Sequence, residues 1–527
     1  MILPNIKKFE TDNGYVEIPE RITFFAHDER SVVGTRVFSI LAPTSTEQMG
    51  DGFVEFLFDS SLDENKEEYT LTLEEKKITV RFGGDRGAAN GAATVALLLR
   101  KDKITTGTVT DRPDAEFRSF MIDMARGLPS LHMVKHHIKS MALAKYNRLH
   151  LHLMDSEGIC FRSDVMPLVE GKNGEQYTKD QIREIIALCS DLCIEIIPEV
   201  EIPAHATALI NAYPHFACDT DGTSNWTLCP AVDEVFTVFE DLIKEVAELF
   251  PGDYLHIGSD ELEFPDLFPK YDMICYWDKC PRCAALREKH GMRDIRDQFY
   301  YVIERVYKMV VAAGKKMIMW NDQIDISRDV PLSRDILIEF WRVAAPTRGP
   351  VEGCSMNEFL NKGFTVINAH YPDTYVDLDE YLTPSNLKDW SPLTSPYVSP
   401  ENRGSVIGGE MCAWEFGNTP EYPFYPYVTD LALALFGDKL WTYGSVSYDK
   451  EYKDALSEFL FGYTLENDIF ECIGDVLPPR DAKKYSYIKD EERSPELIAA
   501  CITELKSKKT EFNEYNTNAF ITLLEKM

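Results

Sequence analysis

Short apolar runs recur between residues 118 and 412, and stretches with helical periodicity separate most of them. The runs are RSFMIDM, NRLHLHL, LCIEIIP, DYLHIG, KKMIMWN, DILIEFW, GFTVINAH and VIGGEMC. Between the first two, Val134, Ile138 and Met141 fall on one helical face. Buried strands that alternate with helices indicate a parallel sheet, and eight such units predict an α/β fold of the (β/α)8 TIM-barrel type. The stretch between the fifth and sixth runs is too short for a full helix, which predicts an irregular ring there.

The pattern differs on both sides of the predicted barrel. GYVEIP, RITFFA, GFVEFLFD, YTLTLEE and KKITVRF have strand character, and one helix follows in GGDRGAANGAATVALLLRKD. We therefore predict a small N-terminal α+β domain over residues 1–110, with the segment DRPDAEF at its boundary. The barrel is expected over 111–448. Helical segments predict a C-terminal helical extension over 449–527.

Charge and composition narrow the class of protein. Lys and Arg number 55 against 87 Asp and Glu, a net charge of −32, so the chain has no excess of cations to neutralise phosphates. We expect neither a nucleic-acid nor a membrane partner. The start MILPNIKKFE lacks an apolar run, and the 12 cysteines show no pairing pattern, which favours a cytoplasmic protein with free thiols. A trimmed export signal is an alternative that the sequence leaves open.

Carboxylates, histidines and aromatic residues follow the predicted strands, at the barrel end where such folds build their active sites. The candidates are Asp123, Arg126, His152, Asp155, Glu199, Glu201, His205, His256, Asp260, Glu261, Trp320, Asp322, Trp341, Tyr375, Asp377, Trp414 and Glu415. A single Asp in such a place often only caps the next helix, but the same mixture at successive strand ends favours function. Aromatic rings stack on the C–H face of a sugar while carboxylates bind its hydroxyls, so we predict a carbohydrate site.

One hexapeptide and several longer segments resemble a known family. HIGSDE resembles the His-x-Gly-Gly-Asp-Glu signature of glycoside hydrolase family 20, the β-N-acetylhexosaminidases. FRSFMIDMAR, MALAKYNRLHLHLMDSEG, IIPEVEIPAHA, YVDLDEY and GGEMCAW resemble further motifs of that family in the same order. The N-terminal domain with its GAATVALLL helix resembles the family's accessory domain. The resemblance extends over residues 1 to roughly 440.

The resemblance implies an exo-acting, retaining β-N-acetylhexosaminidase that hydrolyses terminal β-linked GlcNAc or GalNAc and requires no cofactor. Catalysis in this family is substrate-assisted: the 2-acetamido oxygen of the sugar attacks the anomeric carbon and forms an oxazolinium ion. Glu261 then matches the general acid and base, and Asp260 the carboxylate that holds the acetamido N–H. Tyr375 matches the donor to the acetamido oxygen. A transglycosylase and a catalytically altered sugar-binding barrel remain alternatives.

The resemblance also implies roles for residues around the acid pair. Trp320, Trp341 and Trp414 match the aromatic cage, Arg126 the clamp on the 3- and 4-hydroxyls, and Asp377 a contact to an outer hydroxyl. Asp155 and His205 match a relay that orients Glu261.

The sequence departs from the family pattern in the signature and near the last strand. Ser259 replaces the second glycine of the signature, which is expected to shift the backbone below the acid pair. The Glu that the family places two residues after Trp414 is Phe416 here, while Glu415 lies one residue earlier. We therefore expect Glu415 to bind substrate and recognition of the sugar's far edge to differ.

Cys275, Cys280 and Cys283 stand close together in CYWDKCPRC. This spacing suggests a structural zinc ion with a fourth ligand elsewhere, and unmetallated thiols are the alternative.

Overall fold

The structure of the protein is a computed structural model. The structure describes residues 1–42, 46–48, 50, 52–63, 67–218, 226–262, 275–342, 355–371, 373–376, 387–414, 425–473 and 494–526. Within these ranges, no helix combines the length and the hydropathy that crossing a membrane requires.

The N-terminal part of the chain is a mixed sheet covered by two helices. Its strands are β1 (Lys8–Tyr15), β2 (Ile22–Ala26), β3 (Thr46–Gln48), β4 (Val54–Phe58), β5 (Tyr69–Glu74), β6 (Lys77–Phe82) and β7 (Thr105–Asp111), in the order β1-β7-β5-β6-β4-β2-β3. Helices α1 (Val32–Leu41) and α2 (Asp85–Leu98) pack against each other, and α2 also packs on β5 and β6. A Cβ atom on Gly91 would lie 2.6 Å from Val80 Cγ1, so the small residues of α2 permit its close approach to the sheet.

Eight parallel strands form a closed barrel, which confirms the predicted fold class. They are β8 (Phe117–Asp123), β9 (Arg148–His152), β12 (Glu195–Glu199), β13 (Tyr254–His256), β14 (Lys316–Trp320), β15 (Leu337–Phe340), β16 (Thr365–Asn368) and β17 (Val406–Ala413), and β10 (Met154–Asp155) and β11 (Gly158–Ile159) form a short hairpin after β9. Residues 321–336, between β14 and β15, contain no helix, as the length of that stretch predicts.

Helices surround the barrel and continue beyond it. Those of the barrel are α3 (Leu131–Leu143), α4 (Lys179–Asp191), α5 (Thr207–Ala212), α6 (Asp233–Leu249), α7 (Pro281–His290), α8 (Ile295–Ala312), α9 (Met356–Asn361) and α10 (Tyr425–Trp441). The extension contains α11 (Lys450–Phe461), α12 (Ile469–Ile473), α13 (Pro495–Ser507) and α14 (Glu514–Lys526), and α14 packs on α10 and α11. Apolar residues spaced three and four apart set the buried faces; α6, for example, buries Val235, Phe239 and Leu242.

A buried ion pair joins the N-terminal sheet to the barrel. The Glu67 carboxylate, two residues before β5, accepts hydrogen bonds from Arg118 in β8 at 2.5 Å and from Asn147 at 2.9 Å. Glu67 and Arg118 are only 7% and 1% exposed. Burial by itself would raise the pKa of Glu67, but the Arg118 guanidinium outweighs it and lowers that pKa to about 2. The contact therefore depends on a charged carboxylate.

Candidate active site

The acid pair lies in a tight turn directly after β13. Gly258, Ser259 and Glu261 have φ values of 59°, 75° and 48°, in the left-handed region. A Cβ atom at Gly258 would lie 1.9 Å from Glu201 Oε2, so only glycine fits there. Adjacent residues of a strand point to opposite faces, whereas this turn lets Asp260 and Glu261 point into the same site.

Ser259 adopts the left-handed conformation that a glycine would take with less strain. Its hydroxyl donates to the Ile202 carbonyl at 2.7 Å, and its backbone N–H donates to Glu201 Oε2 at 3.3 Å. A left-handed conformation costs a non-glycine residue about 1–2 kcal/mol. These two hydrogen bonds hold the serine in place below the acid pair.

We expect Ser259→Ala to destabilise the protein by about 1–3 kcal/mol, because it leaves the buried Ile202 carbonyl without its donor while the left-handed backbone stays as it is in the wild type. Ser259→Gly loses the same hydrogen bond but relieves the strain, so it should be more stable than Ser259→Ala by about 1 kcal/mol. Denaturant unfolding of both variants measures this order. Equal stability, or a less stable glycine variant, would show that the backbone at this position carries no strain.

His205 connects the acid pair to Asp155. Its Nε2 lies 3.5 Å from Asp260 Oδ2 and 3.7 Å from Glu261 Oε2, and its Nδ1 lies 3.1 Å from Asp155 Oδ1. Burial alone would lower the pKa of His205, but attraction to Asp155 and Asp260 raises it well above the ordinary value. The structure thus brings the predicted site residues Asp155, His205, Asp260 and Glu261 together in one cluster.

Arg126 lies at the edge of the same cluster. Its Nη2 lies 2.7 Å from Asp155 Oδ2, and its Nη1 lies 3.1 Å from Asp123 Oδ2. The guanidinium also covers the Trp414 ring at 5.2 Å from its centroid. Burial raises the pKa of an isolated Asp, yet Arg126 and His205 hold the pKa of Asp155 well below its usual range.

Four aromatic side chains form a cage at the carboxyl end of the barrel. Ring centroids are 5.8 Å apart for Trp320 and Trp414, 6.3 Å for Tyr375 and Trp414, and 6.4 Å for Trp341 and Tyr375. Trp320 ends β14, and Trp341 and Trp414 directly follow β15 and β17. All three predicted tryptophans and Tyr375 therefore belong to this one aromatic cage.

Asp322 has a structural role that the sequence analysis did not assign. Its Oδ2 accepts from the backbone N–H of Glu261 at 3.0 Å and from Arg342 Nη2 at 2.8 Å, and its Oδ1 accepts from Trp341 Nε1 at 3.1 Å. It thereby ties the acid pair to the aromatic cage. Its place after β14 marked it as a candidate, but nothing in the sequence pointed to Glu261 as its partner.

Trp226 is a site residue that the sequence analysis missed. Its Nε1 donates to the Glu261 carbonyl at 2.9 Å, and its ring lies 4.5 Å from that of His205, centroid to centroid. In the sequence, the only feature that could have marked Trp226 as a site residue is that it is a tryptophan in the long segment after β12.

Buried histidines and glutamates occupy the barrel interior below the cage. Glu199 accepts from Trp320 Nε1 at 2.8 Å and pairs with His256 Nδ1, also at 2.8 Å. His152 contacts Glu199 through Nδ1 and lies 2.9 Å from Asp155 Oδ2 through Nε2. Burial opposes a charge on His152, but Glu199 outweighs it and raises the pKa of His152 to about 10. This layer fixes Trp320 and Asp155 from beneath.

Asp260 combines negative charge with an unused hydrogen-bonding atom. Burial alone would raise the pKa of Asp260, but the adjacent His205 outweighs burial and lowers it. Oδ1 of Asp260 is buried and has no hydrogen-bond partner among the described residues. The site therefore offers a buried, charged acceptor.

Two predicted binding residues, Asp377 and Glu415, lie outside the described residues, as does Phe416.

The predicted cysteine ligand set requires a correction. Cys218, Cys229, Cys280 and Cys283 form one group of neighbouring sulfur atoms, and Cys275 is not a member of it. The thiol of Cys275 is buried and contacts the Thr227 side chain instead. Spacing along the chain could not identify Cys218 and Cys229, because folding brings them to the other pair from more than 50 residues away.

Comparison with known proteins identifies curated relatives of this chain. The curated beta-hexosaminidase of Vibrio furnissii is 28% identical over 414 residues, and that of Porphyromonas gingivalis is 28% identical over 424 residues. These alignments cover 69% and 73% of this chain but only 64% and 52% of the relatives, so the chain spans less than two thirds of their lengths.

Solved structures show the same fold. The beta-N-acetylhexosaminidase from Bacteroides fragilis superposes with a TM-score of 0.71 at 22% identity, covering 87% of this chain and 94% of that one. A chitobiase from Flavobacterium johnsoniae gives a TM-score of 0.72 at 21% identity, covering 100% of this chain and 88% of that one.

The family models "Glycosyl hydrolase family 20, domain 2" and "Glycosyl hydrolase family 20, catalytic domain" match residues 2–112 and 116–432. On these matches, the chain belongs to glycosyl hydrolase family 20.

Proposed function

We propose that this protein is an exo-acting, retaining β-N-acetylhexosaminidase that removes terminal β-linked GlcNAc or GalNAc by substrate-assisted catalysis. The observation that carries the proposal is the buried Oδ1 of Asp260, which has no hydrogen-bond partner among the described residues. A buried acceptor next to aromatic walls matches an acetamido group, which presents an N–H and a methyl group together. The names of the curated relatives, both beta-hexosaminidases, support the same chemistry.

Asp260 and Tyr375 would make the acetamido oxygen the nucleophile. Asp260 accepts the acetamido N–H, while Tyr375 donates to the carbonyl oxygen and aligns it with the anomeric carbon. The bond from this oxygen to the anomeric carbon forms as the bond to the leaving oxygen breaks. The negative Asp260 then stabilises the positive oxazolinium ring, so the protein supplies no covalent carboxylate.

Glu261 would transfer the protons. It protonates the leaving oxygen in the first step and removes a proton from the attacking water in the second. Water opens the oxazolinium at the anomeric carbon and restores the acetamido group, so the configuration is retained. His205 contacts Glu261 and is held by Asp155, which keeps the carboxyl oriented through both steps.

The surrounding residues would select the sugar. Trp320, Trp341 and Trp414 would enclose the acetamido methyl and the ring face, and Arg126 would bind the 3- and 4-hydroxyls. We assign contacts with outer hydroxyls to Asp377 and Glu415.

Comparing p-nitrophenyl β-N-acetylglucosaminide with the matching β-glucoside tests the proposal. We expect negligible cleavage of the glucoside, because a 2-hydroxyl cannot replace the acetamido nucleophile.

Asp260→Asn should lower kcat/KM on the acetamido substrate by about 10²–10³-fold, whatever the leaving group, since it removes the charge that faces the oxazolinium. Asp253→Asn is the matched control and should retain activity, because Asp253 directly precedes β13, at the end away from Asp260, and its side chain is 72% exposed.

Equal cleavage of the β-glucoside, or a fluorosugar trapped as an ester on Asp260 or Glu261, would contradict substrate assistance. Product analysis with an added acceptor sugar separates hydrolysis from transglycosylation, because both reactions use the same residues.

A further inference from the structure

Four cysteines from two distant segments meet at the side of the active site. Three of the Sγ–Sγ distances are 3.8 Å for Cys218 and Cys283, 4.0 Å for Cys229 and Cys280, and 3.6 Å for Cys229 and Cys283. All four sulfur atoms lie within 4.8 Å of one another. Tetrahedral zinc with Zn–S bonds of about 2.3 Å places its thiolates about 3.8 Å apart, which agrees with these distances.

Disulfide bonds do not explain the same geometry. A disulfide requires sulfur atoms about 2.05 Å apart, whereas the four thiols are free and the three Sγ–Sγ distances given above are 3.6 to 4.0 Å. Cys229, Cys280 and Cys283 are fully buried. Cys280 is the N-cap residue of α7 and Cys283 lies in its first turn, where the positive end of the helix dipole stabilises thiolates.

We propose that Cys218, Cys229, Cys280 and Cys283 bind one structural zinc ion, which holds Trp226 in position against Glu261. The part of this proposal that concerns Glu261 rests on the proposed function, whereas metal binding does not.

Hydrogen bonds around the cluster connect it to the site. Arg282 Nη2 donates to the Ala217 carbonyl at 2.6 Å, and Trp277 Nε1 donates to the Leu228 carbonyl at 2.9 Å. Trp226, three residues before Cys229, donates to the Glu261 carbonyl. A metal ion bound by all four cysteines would therefore join the segment with Cys218 and Cys229 to the segment with Cys280 and Cys283. It would thereby hold Trp226 against the backbone of Glu261. Trp226 acts here as a positioning residue.

Elemental analysis of the full-length protein, expressed with added zinc and purified without chelator, should find about one zinc per chain. The variant with both Cys280→Ser and Cys283→Ser should bind less than about one tenth of that amount, because two thiolates do not hold structural zinc. Cys275→Ser changes a buried cysteine outside the cluster and should keep its zinc. Iron instead of zinc, no metal in the wild type, or full zinc in the double variant would overturn the proposal.

Cobalt exchange gives a test that needs no variant. The wild-type protein loaded with Co²⁺ should show the thiolate charge-transfer bands and the intense visible bands of a tetrahedral four-sulfur site. The weak visible spectrum of octahedral cobalt with oxygen ligands would overturn the assignment of the four cysteines.

Leaving-group dependence tests the positioning role. Zinc-depleted wild-type protein should lose at least about tenfold more kcat with a poor leaving group than with an activated phenol, because a displaced Glu261 transfers protons poorly. Added zinc should restore kcat with the poor leaving group and so remove the difference between the two substrates. An equal loss with both substrates would overturn the link to Glu261. Failure of the proposed function would appear separately, as a zinc-containing protein that hydrolyses neither substrate.

Discussion

Glu261→Gln is expected to slow cleavage of a substrate with a poor leaving group by about 10²–10⁴-fold, because glutamine cannot protonate the departing oxygen. With an activated phenol, which leaves without a proton, the loss should be much smaller in the first step. The unequal loss distinguishes Glu261 from Asp260, whose replacement should matter equally for both substrates. The measurement is steady-state kcat/KM for a series of phenyl β-N-acetylglucosaminides with different leaving-group pKa values. The slope of log kcat/KM against leaving-group pKa then shows how strongly each enzyme depends on protonation of the leaving oxygen.

Glu248→Gln in α6 is the matched control, since it changes the same functional group on the exposed surface and should leave the slope unchanged. The same fold-loss for every leaving group would show that Glu261 is not the proton donor.

A thiazoline mimic of the oxazolinium should also bind more tightly to the wild type than the product sugar does, because it resembles the intermediate.

The second large effect concerns stability. Glu67→Gln should lower the free energy of unfolding by about 3–5 kcal/mol, because it leaves Arg118 buried without its counter-charge. The folded-state pKa of Glu67 is about 2, below its ordinary 4.5. The ion pair therefore contributes fully above about pH 4.5, and the contribution is lost as pH falls towards 2.

Denaturant unfolding of wild type and variant between pH 7 and pH 3 tests both statements. The difference between the two proteins should shrink below about pH 4.5, because Glu67 then binds a proton in the unfolded wild type while it remains charged in the folded protein. Glu75→Gln, on the exposed turn between β5 and β6, is the control and should change stability little at any pH. A small, pH-independent cost for Glu67→Gln would show that the buried pair contributes no net stability.

Much of the active site could be predicted from the sequence, because strands and motifs are local features. Alternation of apolar runs with helical stretches determined the barrel, and the carboxyl ends of parallel strands must meet on one side. Residues within a few positions after those strands, such as Asp155, Asp260 and Trp341, were therefore expected in one place. The HIGSDE segment marked the acid pair itself.

Only the tertiary structure decided which distant groups contact one another. Trp226 reaches Glu261, Asp322 connects Glu261 to Trp341, and Glu67 reaches across the domain interface to Arg118. None of these pairs follows from spacing along the chain, because packing of whole elements sets the distances. The same reason explains why spacing along the chain placed Cys275 in the predicted ligand set and left out Cys218 and Cys229. The loop geometry brings Cys218 and Cys229 to Cys280 and Cys283, while Cys275, only five residues before Cys280, turns away.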